Sequence, residues 1–256
     1  MTHENHSAPA TPLMGSVTQR RNLLKLKPTW TGRDRLESQV SLRLGIPNTG
    51  KLKELVGELI ASLVEFNYAS KSLFFKLNDD LELVRARSTD LPHLLANGVV
   101  DMAITGSDYC FESGEDLVQM DDLALITGQI CLLTKDGRMP GNRQDGPLVV
   151  STQYPRHASH LVKSQGLDAE VRVVSGAGEL YPRMGLSDAS VDCVVTGKTA
   201  KHNHLRVAAR IRPVTTGIYR RAGGDDPHKL RALEHLAERV MEACTEMRQA
   251  AMGRSI

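Results

Sequence analysis

The stretch LRLGIPNTGKLKELVGELIASLVEF, residues 42–66, decides the fold class. LRLGIP is a short apolar-rich run that stops at the turn-forming PNTG. Leu52, Leu55, Val56, Leu59, Ile60 and Leu63 then recur at helical spacing. The order is strand, loop, helix, and it repeats outward. LELVRAR (81–87) alternates as a strand does, STDLPHLLANG (88–98) reads as a helix capped by Asp90 or Thr89 and stopped by Gly98, and VVDMAITG (99–106) is a buried strand. ICLLTK (130–135), PLVVST (147–152), EVRVVSG (170–176) and SVDCVVTG (190–197) read as further strands, with a helix over RHASHLVKSQG (156–166). Strands alternating with helices of about ten residues predict parallel α/β sheets. DGRMPGNRQDGP (136–147), dense in Gly and Pro, predicts a lobe surface or hinge loop. Past Arg221, Leu230, Leu233, Leu236, Val240, Met241 and Cys244 mark the apolar stripe of one long helix.

Composition removes several classes of function. With 256 residues, 41% hydrophobic and 24% charged, the chain is long enough for a substantial core, and a net charge of +2 gives no global basic field for nucleic acid. Cys110, Cys131, Cys193 and Cys244 are too scattered for a zinc site and read as reduced, mostly buried thiols. His93, His157 and His160 show no metal spacing and read as solvated helix-face residues. Residues 1–40, rich in Ser, Thr, Pro and basic residues, read as an extension, disordered in part, without the apolar core of a signal peptide. No run approaches a membrane span, so the expected location is the cytoplasm.

Three glycine-punctuated loops follow strands: Pro47-Asn48-Thr49-Gly50, Thr105-Gly106-Ser107-Asp108 and Thr196-Gly197-Lys198-Thr199. In an open parallel sheet ligands bind at the carboxyl ends of strands, so all three are expected to face one cleft. The third combines two hydroxyls, a glycine that permits close backbone approach and a lysine, with Asp192 four residues upstream. Hydroxyls and N–H groups suit a phosphate, and a carboxylate suits sugar hydroxyls. As a bare pattern it is also an ordinary strand-to-helix turn, and it lacks the upstream glycine of a Walker loop.

The run SGAGELYPRMGLSDASVDCVVTGKTAKHNHL (175–205) resembles the phosphoribosyl-pyrophosphate loop of ATP phosphoribosyltransferases. Gly176, Glu179, Pro182, Gly185, Leu186, Asp188, Asp192, Thr196, Gly197, Thr199, Asn203 and Leu205 keep that pattern in register. LGIPNTGKL is similar to the family's opening strand and Pro-Asn-Lys-Gly-Arg-Leu loop. LVRARSTDLPHLLANGVVDMAITGSD is similar to its Arg-x-Arg and Gly-Ile-Thr-Gly-x-Asp segment, and VVSTQYPRHASHLVKSQGLDAEV to its Tyr-Pro segment.

The resemblance implies an α/β fold of two lobes like type II periplasmic binding proteins, with a long C-terminal helix. The expected divisions are lobe I at 41–128 plus 206–221, lobe II at 129–205 with the phosphoribosyl-pyrophosphate loop, and the C-terminal helix at 222–256. It implies catalytic roles for Glu179 and Asp192. It assigns phosphoribosyl pyrophosphate to Asp188, Asp192, Thr196, Gly197, Lys198 and Thr199, and ATP or pyrophosphate to Lys51, Arg85 and Asp101. Read without the resemblance, Asp188 is a helix or turn cap, Arg85 a surface charge and Asp101 the partner of a backbone turn. Mg²⁺ is expected with the substrate and no metal ligand set is assigned. The expected assembly is a homodimer, with or without a synthetase-like regulatory subunit, with no nucleic-acid or membrane partner.

Departures from the family pattern are local. Thr49 and Lys51 stand where Lys and Arg are usual, removing one cation and replacing a guanidinium with a point charge. Gly178 replaces an apolar residue, Val195 a common Glu, Ala200 a Leu and His204 a Gly. Three readings follow. One is a short-form ATP phosphoribosyltransferase of histidine synthesis, lacking the C-terminal regulatory domain. A second is a paralogue making a specialised purine-derived, nucleoside-antibiotic-like metabolite. The third is a non-catalytic two-lobed nucleotide-binding module.

Overall fold

The computed structural model describes residues 41–64 and 72–252. The 1–40 extension lies outside the described residues. The elements are β1 (Leu42–Pro47), α1 (Gly50–Leu63), β2 (Phe74–Lys76), β3 (Leu81–Ala86), α2 (Leu91–Ala96), β4 (Met102–Gly106), α3 (Ser107–Ser113) and β5 (Leu117–Thr134). They continue with β6 (Leu148–Thr152), α4 (Pro155–Ser164), β7 (Ala169–Val173), α5 (Leu180–Met184), β8 (Ala189–Val194), α6 (Lys198–His202), β9 (Arg206–Arg221) and α7 (Pro227–Met252).

The strands form one sheet in the order β2-β3-β1-β4-β9-β5-β8-β6-β7. Two sets are parallel as expected, β3-β1-β4 and β8-β6-β7. Between them run β5 and β9, 18 and 16 residues long and antiparallel to each other and to their neighbours, so the sheet is mixed. β9 pairs with β4 through Tyr219 to Thr216 and β5 pairs with β8 through Gln129 to Leu133. These directions aim the carboxyl ends of both parallel sets at the middle of β5 and β9. There the ladder is irregular, with a register shift between Asp122 and Thr127 and Ala124 at φ 40°.

Two main cores flank that midpoint. One joins β1, β3, β4 and α1 with Leu123 and Leu125 of β5, and α7 packs on it through Ala232, Leu233, Leu236, Ala237, Val240, Ala243, Cys244 and Met247. Leu230 and Met241, counted in the sequence stripe, are only partly buried, because small alanines carry the close face of the helix. The other core joins Ile130, Leu132, Val150, Tyr154, Leu161 and Val191. The Gly/Pro-rich loop packs on this second half. The Asn142 amide donates to Gly166 O, its Oδ1 accepts from Asp168 N–H at 2.8 Å, and Arg143 reaches Asp188. Among the described residues no helix is long and apolar enough to cross a membrane.

Candidate active site

A cavity of about 620 Å³ opens where the strand ends converge. Thr49, Gly50, Lys51 and Leu52 reach it from the start of α1, and Arg87, Ser88 and Thr89 from the end of β3. Gly106, Asp108 and Tyr109 enter after β4, Gln153 and Tyr154 after β6, and Asp192, Cys193 and Val195 at the end of β8. Ile126, Val214, Thr215 and Thr216 of the two long strands complete the wall. Two of the three glycine loops therefore line one cleft. The third adjoins it through Val195: Thr196, Lys198 and Thr199 are exposed on the rim, and Gly197 precedes α6 as its N-cap residue at φ 70°.

Asp192 is the best-framed polar group. Its Oδ1 accepts from the Cys193 N–H at 2.7 Å and from Gln153 Nε2 at 3.4 Å. Burial, reinforced by the nearby Glu179 carboxylate, lifts its carboxyl from the usual range to about 6. Glu179, the N-cap residue of α5, lies beside Asp192. Asp108 is buried, which raises its pKa, while the Tyr154 hydroxyl donating to Oδ2 at 3.1 Å opposes the rise. Burial pushes the Cys193 thiol up to about 12, which leaves it protonated and a poor nucleophile. Lys51 and Arg87 supply the positive charge of the lining.

Of the expected residues Asp192 and Lys51 line the cavity, Glu179 and the Thr196–Thr199 turn adjoin it, and Asp188, Asp101 and Arg85 do neither. Asp188 and Asp101 stand immediately before β8 and β4, at the amino ends of strands whose carboxyl ends form the cleft. Asp188 Oδ2 accepts from Val149 N–H at 2.8 Å, and its carboxylate meets Arg143. Asp101 Oδ2 accepts from Arg43 N–H at 2.7 Å while Oδ1 holds Lys229 Nζ, pinning α7 to the sheet. Asp101 is therefore a backbone partner. Arg85 is buried on β3 with its guanidinium 5.9 Å from the Phe75 ring centroid, and Arg87 lines the cavity instead. His157 is also corrected: it is fully buried beside Phe111, and burial lowers its pKa to about 4. Asp108, Tyr109, Tyr154 and Arg87 were within reach of sequence reading, because each sits in or beside a glycine loop, the Tyr-Pro pair or the Arg-x-Arg pair. Val214 to Thr216 carried no such signal.

Among the described residues no group of three or more His, Cys, Asp or Glu is arranged to hold a metal. The family profile described as ATP phosphoribosyltransferase matches residues 87–242, more than half of the chain. The chain belongs to the ATP phosphoribosyltransferase family. The ATP phosphoribosyltransferase of Methanococcoides burtonii is 30% identical over 210 residues, covering 79% of this chain and 73% of that protein. That of Lacticaseibacillus casei is 33% identical over 149 residues, 58% of this chain and 70% of that protein. The Methanocella arvoryzae protein is 29% identical over 174 residues, and the chain spans only 61% of its length. In structure, the chain is similar to a chain of the ATP phosphoribosyl transferase (HisG:HisZ) complex from Thermotoga maritima. The TM-score is 0.69 at 25% identity, covering 80% of this chain and 99% of that one. The periplasmic aliphatic sulphonate binding protein SsuA from Escherichia coli shares the two-lobed fold, at TM-score 0.51 and 16% identity over 84% of this chain and 80% of that one.

Proposed function

We propose that the chain joins N1 of the adenine of ATP to C1 of phosphoribosyl pyrophosphate with release of pyrophosphate, the first step of histidine biosynthesis. The observation that carries this reading is the cavity itself: Asp192 of the Asp-x-x-x-Thr-Gly-x-Thr pattern and the cations Lys51 and Arg87 line one space at the converging strand ends.

The reaction needs no strong base, since pyrophosphate leaves a carbon that becomes oxocarbenium-like. The site must neutralise the leaving group and aim N1 at C1. Asp192 accepts the ribose hydroxyls, and Glu179 beside it adds negative charge facing the electron-poor sugar. The Thr196–Thr199 turn on the rim takes the 5′-phosphate, while Lys51 and Arg87 take the pyrophosphate oxygens. Tyr109, Tyr154, Ile126 and Val214 give the flat, apolar surface that a purine needs. Mg²⁺ enters as part of the phosphoribosyl pyrophosphate substrate, held mainly by its phosphate oxygens with a carboxylate such as Asp192 in reach, as suits a cation that keeps several waters. We extend the proposal to a homodimer that works with a synthetase-like regulatory subunit, in the cytoplasm.

The test is direct. Incubated with ATP, phosphoribosyl pyrophosphate and Mg²⁺, the protein should release pyrophosphate in step with a phosphoribosylated ATP seen by mass spectrometry. No coupled product, with or without a regulatory subunit, overturns the assignment.

A further inference from the structure

Helix α4 lacks an N-cap of its own. Its N-cap residue, Tyr154, makes no side-chain capping bond and Pro155 carries no N–H. The next two N–H groups, Arg156 and His157, both donate to Glu112, to Oε1 at 2.7 Å and Oε2 at 3.2 Å. Glu112 sits on α3, which follows β4 of one parallel set, whereas α4 follows β6 of the other. One half of the molecule thus caps a helix of the other.

Glu112 lies one helical turn beyond Asp108, so both carboxylates face α4. Asp108 accepts the Tyr154 hydroxyl, and its carbonyl oxygen lies 3.3 Å from His157 Nε2. Between the two carboxylates Phe111 packs on the His157 ring at 4.4 Å between centroids, with the Arg212 guanidinium 3.9 Å from its own centroid. The midsections of β5 and β9 join the two halves covalently on one wall of the cavity, and this α3–α4 seam joins them by contact on another.

We propose that Glu112 is a positioning residue for the transfer: a cap supplied in trans that holds α4 on α3 and thereby keeps Asp108 and Tyr154 together in the cavity wall. It does not touch the cavity and acts through those two side chains. The proposal rests on the reaction assigned above for its kinetic half and on geometry alone for its structural half. Two oxygens on one carboxylate serve two N–H groups, so glutamine retains one acceptor and alanine none.

Amide hydrogen exchange and steady-state kinetics of the full chain as wild type, E112A and E112Q test it. In E112A the Arg156 and His157 amides should exchange about fivefold faster or more, the factor corresponding to a lost N-cap. E112Q should fall between E112A and wild type, and amides of β1 and α7 should not change. KM for both substrates should rise by a similar factor while kcat moves by less than about twofold, because affinity scales with the fraction of chains whose seam is closed. Unchanged exchange at both amides in E112A overturns the cap in trans. Faster exchange with unchanged KM overturns the positioning role. If E112A does not fold, E112Q decides, with one amide protected and the other not. If the wild type shows no turnover, the assigned reaction fails; ATP affinity by calorimetry then replaces KM, and an unchanged value in E112A overturns the positioning role.

Discussion

Asp188 and Asp192 lie at opposite ends of the same strand. Asp188 precedes β8 and accepts from Val149 N–H at 2.8 Å, whereas Asp192, near its carboxyl end, lines the cavity. Four residues of separation put one aspartate of the pattern in a strand clamp and the other in the cavity wall. Asp188→Ala should destabilise the fold by about 1 kcal/mol or more through the lost hydrogen bond to the Val149 amide, with phosphoribosyl pyrophosphate affinity unchanged. Asp192→Asn should weaken that affinity by about ten- to a hundredfold. Denaturation and calorimetry on both variants check the division, and a large affinity loss in Asp188→Ala with intact stability contradicts it.

The raised pKa of Asp192 has a definite sign in stability. Its carboxyl holds a proton up to about pH 6 in the folded chain, against an ordinary value of 3.8. Between those values the native state binds more protons than the unfolded state, so stability falls as pH rises through the window and is level above it. Asp192→Asn removes this term. Its stability relative to wild type should grow by about 2–3 kcal/mol from pH 4 to pH 6 and then stay constant. If Asp192 accepts the ribose hydroxyls as proposed, substrate affinity should behave in the opposite sense, falling as pH drops below about 6, because the ionised carboxylate is the better acceptor. Paired melts across pH 4–8 check the first statement and calorimetric titrations the second.

His204 occupies the left-handed region at φ 57°, where the family pattern usually has glycine. A non-glycine residue there costs about 1–2 kcal/mol, and glycine gives back roughly half of that through unfolded-chain entropy. His204→Gly should therefore stabilise the chain by about 0.5–1 kcal/mol, and because His204 is exposed beyond α6, turnover should not change. A melting temperature at or below wild type contradicts this.

The parallel α/β units were legible because each has its own period and its own glycine stop: Gly98 and Gly166 end their helices at φ 66° and 60°. The two long strands were not. β5 carries Asp121, Asp122 and a register break in its centre, so only ICLLTK stood out. β9 has Pro213 and five arginines, which hide its pairing, and the proline is accommodated because that half of β9 is a sheet edge with only β5 beside it. At the site, residue spacing located Asp192 but did not reveal which end of its strand an aspartate occupies. The resemblance implies ligand roles for Asp101 and Asp188 without showing that both stand at the amino ends of their strands. The resemblance implies Arg85, but its contact with Phe75 joins neighbouring strands and is invisible in the local sequence, while Arg87 lines the cavity. Gly197→Val is a poor probe of the rim turn, since φ 70° strains any β-branched residue.

The first loop offers the sharpest test of substrate choice. Thr49 and Lys51 both line the cavity, and Thr49 makes no capping bond to α1, so replacing it leaves the helix start intact. Thr49→Lys with Lys51→Arg restores the cations typical of the family. If the cleft holds pyrophosphate by direct charge contact, affinity should rise by about fivefold or more, and its dependence on salt should steepen, because added fixed cations strengthen a screened attraction. In an enzyme of histidine synthesis kcat/KM should hold or improve. In a paralogue whose loop is matched to a different purine, kcat/KM should fall although pyrophosphate binds better. Pyrophosphate calorimetry at two ionic strengths, beside steady-state rates with ATP, separates the two. If neither affinity nor rate moves in the double variant, Thr49 and Lys51 make no contact with the phosphates, and Arg87 alone carries the cationic side of the site.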